Sequence, residues 1–173
     1  MKVTDLSTSE YHTFYANYMR QVPKDVNLIA GFTGGSEQLV AFFKQIPSSK
    51  LEYRYAEDKW SIKEVLQHII DTERIFLYRC FRIARQDKTE LAGFEQDDYI
   101  LPSKANSKSI EDLLEEYQTV RQNAIVLLKS LSAPDLKQLG HASGSKLSAR
   151  AAAFMILGHE IHHMAVLKER YLV

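Results

Sequence analysis

From Ser61 to about residue 86 the chain sets apolar side chains at the helical period: Ile62, Val65, Leu66, Ile69, Ile70, Phe76, Leu77, Cys80, Phe81 and Ala84. A stripe this long has to be buried against other helices, and that requirement narrows the folds open to the chain. Its start is marked by Ser61-Ile62-Lys63-Glu64. This is a capping box, in which the Ser hydroxyl and the Glu carboxylate each satisfy an orphan backbone N–H. Trp60 precedes the cap and can pack back on the first turns.

Other stretches share the period. Residues about 25–46 carry Leu28, Phe32, Leu39, Phe42, Phe43 and Ile46 and end at Pro47. Gly31, Gly34 and Gly35 lie inside that stretch and point to a kink or a close helix approach. Ser109 to Leu131 opens on a Ser-x-x-Asp cap and carries Leu113, Leu114, Tyr117, Val120, Ala124, Leu127 and Leu128. Ser148 to Tyr171 reads as helix without interruption by Pro. The Tyr-rich Glu10 to Arg20 is expected to form a short helix on the bundle, and Ser132-Ala133-Pro134-Asp135 a helical turn. No stretch shows strong strand alternation, and Gly140 to Lys146 reads as a flexible connection.

The expected fold is therefore all-α, a four-helix bundle. Its second-to-third connection is long, permits a crossover, and holds an aromatic and acidic loop from Leu91 to Pro102 that is expected either to line a site or to serve as a packed crossover connection. One domain is expected over residues 1–173, with its core at about 25–171 and an N-terminal arm at 1–24.

Charge excludes some partners. Lys plus Arg is 22 and Asp plus Glu is 22, so there is no broad positive field for nucleic acid or for an anionic membrane. The single cysteine, Cys80, allows no intrachain disulfide and reads as a buried helix residue. The first residues lack an apolar signal core, and the longest apolar run, Ala151 to Leu157, is too short to span a bilayer. A cytoplasmic protein is expected.

The chemistry-bearing residues cluster near the end, in His159-Glu160-Ile161-His162-His163. His159 and His163 are four residues apart and share a stripe with Ala152, Ile156, Val166 and Leu167, so both rings face the interior. Each buried ring carries a polar nitrogen that needs a partner, and a metal ion satisfies both. Two imidazoles need a third ligand, and His68 on the capped helix is the best candidate. Three neutral imidazoles suit Zn²⁺, Ni²⁺ or Fe²⁺ and leave positions open for water or substrate. The string also fits His-Glu-x-x-His, with Glu160 as general base. After His163, however, comes only Glu169 on another face, so the third ligand must lie upstream.

Glu160, Asp71 and the Gly93–Tyr99 loop are the candidates for proton transfer, and Asp71, one turn beyond His68, is expected to orient that ring. Glu73 falls on the apolar stripe and needs a buried partner, Arg79 or an Arg elsewhere. His162 is expected at the rim of the site, and His12 and His141 on the surface. The competing expectation is an ordinary bundle whose histidines only fill its core.

The segments Trp60–Glu73, Gly93-Phe94-Glu95 and Gly158–His163, in this order, resemble the DinB/YfiT-like superfamily. The resemblance covers about Asp25 to Tyr171. It implies a four-helix bundle with a divalent metal, zinc or nickel, held by His68, His159 and His163. It also implies a homodimer acting on a small-molecule substrate, as a hydrolase or as a transferase that uses a low-molecular-weight thiol. The alternative is a non-catalytic, metal-stabilised bundle serving binding or the stress response. The Tyr-rich arm and the three glycines depart from the family pattern.

Overall fold

The computed structural model describes residues 1–172; Val173, the end of the expected domain, lies outside the described residues. A short helix α1 (Ala16–Gln21) precedes α2 (Leu28–Lys44) and α3 (Ile62–Ala84). The short α4 (Asp97–Ser103) leads to α5 (Ile110–Ser130) and α6 (Ala133–Leu136). Strands β1 (Leu139–Ala142) and β2 (Ser145–Ser148) then lead into α7 (Ala149–Val166), which continues as a π-helical turn, Leu167–Tyr171. The long helices start where local chemistry dictates. Ser61 Oγ accepts from the Glu64 N–H, and the Glu64 carboxylate accepts from the Ser61 N–H at 2.7 Å. Ser109 and Asp112 repeat the device for α5, and Asn27 and Ser148 cap α2 and α7.

The four long helices form the expected bundle. Lys108 bonds to Gln67, and Arg121 to Glu73, so α3 and α5 run side by side in the same direction. Residues 85–109 therefore travel back along the bundle as a crossover. Tyr171 at the far end of the last helix donates to the Trp60 carbonyl beside the start of α3, while β1 lies against Ile83 near its end, so α7 runs opposite to α3. Gly31 faces Leu157 and Gly35 faces Glu160, so α2 runs with α7. The close-approach reading of those two glycines holds, and α2 continues through them without a break.

Ala149 to Glu160 are all buried, so α7 has no solvent face over this length. The bundle covers part of it, and α1 covers another side. A Cβ at position 158 would lie 2.2 Å from the Tyr18 carbonyl oxygen, so only glycine lets the two backbones meet. Outside the bundle Glu10 closes the arm onto α7 through a two-pronged pair with Arg150.

Several local expectations need correction. Gly140 to Lys146 is not a flexible connection: β1 and β2 form an antiparallel hairpin. Its two-residue turn, Ser143-Gly144, has both residues at positive φ, 53° and 72°, the conformation a tight hairpin requires. The Leu91–Pro102 stretch is partly ordered: Leu91 bridges to Ala142, and α4 occupies its second half. Phe81, placed on the apolar stripe, is 40% exposed, whereas Cys80 is fully buried. Among the described residues no helix is long and apolar enough to cross a membrane.

The glycines give opposite expectations. Gly158→Ala should lower stability by about 1–3 kcal/mol, because Tyr18 backbone must move aside. Gly34→Ala should raise it by about 0.5–1 kcal/mol, because a methyl there meets open space and the helix gains in propensity. Urea denaturation of both variants checks the pair; equal changes of one sign would contradict it.

Candidate metal centre

α3 and α7 bring three imidazoles together. His68 Nε2 and His163 Nε2 lie 2.9 and 3.0 Å from His159 Nε2. One ligand atom from each ring falls within 4.8 Å of the others. His159 is 6% exposed and His68 4%, while His163 is half-buried. Burial pulls the His68 pKa down to about 4. Burial, reinforced by the neighbouring rings, takes His159 and His163 well below the usual histidine range. All three are therefore neutral at physiological pH.

This cluster cannot satisfy itself. A neutral ring nitrogen offers either one proton or one lone pair, yet His159 Nε2 faces two neighbours of the same kind. A cation at the common point takes a lone pair from each ring, so the donor set fits a divalent metal. Aromatic walls hold the rings in place. Trp60 packs on His68 at 4.6 Å between centroids, and its carbonyl is tied down by Tyr171. Tyr18 lies 5.5 Å from His159 and 5.3 Å from His162. His162 stands at the rim, half-buried, with Nδ1 at 3.1 Å from Gln21 Nε2. His12 and His141 are exposed.

The DinB superfamily model matches residues 32–167, a span that includes all three histidines. The chain belongs to the DinB superfamily. YfiT from Bacillus subtilis, described as a probable metal-dependent hydrolase with an unusual four-helix bundle topology, shares the fold with a TM-score of 0.73. It is 15% identical, and the match covers 92% of this chain and 91% of that one. YjoA, a DinB-like protein of the same organism, matches with a TM-score of 0.59 at 20% identity, over 82% and 87% of the two chains. A curated protein of Oceanobacillus iheyensis, named "Putative metal-dependent hydrolase", is 22% identical over 69% of either chain.

Of the proton-transfer candidates, Phe94, Glu95 and Gln96 of the loop line the cleft beside His159, whereas Asp71 and Glu160 are held by other partners. Asp71 accepts from Gln67 Nε2 and Arg74 Nη1 instead of from His68, because it falls on the α3 face turned toward Glu116 of α5. Glu160 is buried at 2% exposure, and one of its oxygens accepts from Tyr117 Oη and Arg121 Nη2, both at 2.6 Å. A carboxylate bound this way is poorly placed to act as a general base, which removes the basis of the zinc-protease pattern.

Arg121 also binds Glu73 through two nitrogens, so the partner sought for Glu73 lies on α5 and is not Arg79. Burial works against the Arg121 charge, but Glu160 and Glu73 outweigh it and hold the guanidinium protonated. Burial and the Glu160 charge push the Tyr117 pKa up, so its hydroxyl stays a donor. Sequence reading passed over Arg121. The available signal was a charged residue one turn beyond Tyr117 on the apolar side of α5.

Arg79 instead fastens the crossover and the hairpin. Its Nη2 donates to the Ala92 carbonyl at 3.0 Å and the Ser143 hydroxyl at 2.9 Å. Its guanidinium lies over Phe76 and Phe94. A cleft of about 310 Å³ results, with Tyr18, Phe76, Phe94 and Glu95 among its walls and His159 at its edge.

Replacing Arg121 by Met leaves two carboxylates buried without their cation and should cost about 3–5 kcal/mol. Adding Glu73→Gln and Glu160→Gln to that variant should recover part of the loss. Chemical denaturation measures both; a single variant within 1 kcal/mol or so of the parent would contradict the role given to this network.

Proposed function

We propose that this chain is a divalent-metal-dependent hydrolase, with His68, His159 and His163 as ligands and the cleft beside His159 as its substrate pocket. The observation that carries the reading is the meeting of three neutral, mostly buried imidazoles that cannot satisfy one another. When bound, a zinc or nickel ion supplies Lewis acidity, polarising a substrate oxygen and acidifying water. His68, His159 and His163 offer neutral lone pairs, and Trp60 and Tyr18 hold two of the rings and keep bulk water from them. The names given to YfiT and to the Oceanobacillus iheyensis protein support a hydrolase.

Transfer to a low-molecular-weight thiol is less well supported by the pocket. Among the described residues its lining includes Glu95 but no Lys or Arg to receive an anionic thiol. A non-catalytic, metal-stabilised bundle would bind metal equally well and is separated by turnover alone.

The test is elemental analysis of untagged protein purified without added metal, beside His68→Ala and the double variant His159→Ala, His163→Ala. The parent is expected to hold near-stoichiometric metal and to hydrolyse 4-nitrophenyl acetate, and both variants to lose both properties. No metal in the parent after incubation with Zn²⁺ or Ni²⁺, or full metal in either variant, would sink the ligand assignment. Metal without hydrolysis of any ester or amide would favour the non-catalytic bundle.

A further inference from the structure

Thr72 stands on α3 one turn beyond His68, on the same side of the helix. It is 3% exposed and lines the cleft that reaches His159. Among the described residues, its hydroxyl is the one fully buried side-chain polar atom without a hydrogen-bond partner. A helical threonine ordinarily returns its hydroxyl to the carbonyl one turn back, and Thr72 does not. The three imidazoles aside, the other comparably buried side-chain donors and acceptors among the described residues are paired, including the Glu73, Arg121 and Glu160 cluster. A buried hydroxyl without a partner, on a residue that lines a cleft, is where a bound molecule can supply the missing partner.

The surroundings restrict that molecule. Tyr15, Tyr18, Phe76 and Phe94 offer ring faces and edges around the cleft. Its charged lining includes the Glu95 carboxylate and, among the described residues, no Lys or Arg. Arg79 is near, but its Nη2 is bound to the Ala92 carbonyl and the Ser143 hydroxyl, and it lies against Phe76 and Phe94. The cleft therefore suits an aromatic body and has no side-chain cation for an anion.

We propose that Thr72 is a positioning residue for an uncharged aromatic carbonyl compound, an aryl amide or ester, whose carbonyl oxygen accepts from its hydroxyl while the ring lies among Tyr15, Tyr18, Phe76 and Phe94. This rests on the hydrolase reading for its purpose, but not for its test, because binding is measured without turnover.

Benzamide is the uncharged probe and benzoate its anionic counterpart. Both are titrated by NMR into the protein as purified and after chelator treatment, alongside Thr72→Val and Thr72→Ser. Benzamide should bind the parent saturably in both states. Thr72→Val, which keeps the shape and removes the hydroxyl, should weaken it about five- to tenfold, the worth of one hydrogen bond. Thr72→Ser should stay close to the parent, and metal content should be unchanged in both variants. Benzoate should bind the chelator-treated parent more weakly than benzamide does. Equal benzamide affinity in Thr72→Val would mean that the hydroxyl is merely hydrated, and would overturn the proposal. So would a loss in Thr72→Ser as large as in Thr72→Val, stronger benzoate binding after chelation, or no benzamide binding at all. A parent that holds no metal yet shows the expected benzamide pattern would fail the hydrolase reading alone.

Discussion

Twelve successive residues of α7, Ala149 to Glu160, are buried on every side, and among them are an arginine, a histidine and a glutamate. A helix in that position cannot turn its polar groups to water, so other elements have to answer each of them. Glu10 answers Arg150, Arg121 and Tyr117 answer Glu160, and the Tyr18 backbone closes over Gly158. His159 Nε2 meets two more imidazoles, one from α3 and one from the next turn of α7. Much of the architecture around the helix follows from these pairings.

The supports of the centre form chains of contact from the periphery inward. Tyr171 fixes the Trp60 carbonyl, and the Trp60 ring fixes His68. Gln21 holds His162 on the rim, and Tyr18, from the same short helix, leans on His159. Arg79 ties the crossover and the hairpin turn together, and Phe94, Glu95 and Ser143 from those two segments line the cleft that His159 also lines. Ring orientation set before a metal arrives lowers the entropic cost of binding it.

What the sequence revealed divides along the range of the interactions. The helix starts at Ser61 and Ser109 were readable because a capping box is complete within four residues. The His159–His163 pair was readable because it repeats at the helical period, and His68 because its period and chemistry matched. The pairing of Arg121 with Glu73 and Glu160 was not, since these partners lie 48 and 39 residues apart and only the folded bundle selects them. Asp71 misled for a related reason. Position along α3 put it near His68, but its direction around the helix turned it to Gln67 and Arg74. The hairpin escaped notice because its strands are four residues each and its signal is a single Ser-Gly turn. A short helix on the bundle was readable from the Tyr-rich Glu10–Arg20 stretch, but its close approach to Gly158 was not, since that neighbour lies far along the chain.

Three imidazoles on two helices are placed to share one metal ion. X-ray absorption at the metal edge of the zinc- or nickel-loaded protein tests it most directly, because imidazole rings leave a distinctive outer-shell scattering pattern. The expected result is a nitrogen and oxygen inner shell with three imidazoles, falling to two in His68→Ala if any metal is retained. An inner shell with sulfur, or with one imidazole or none, would contradict it.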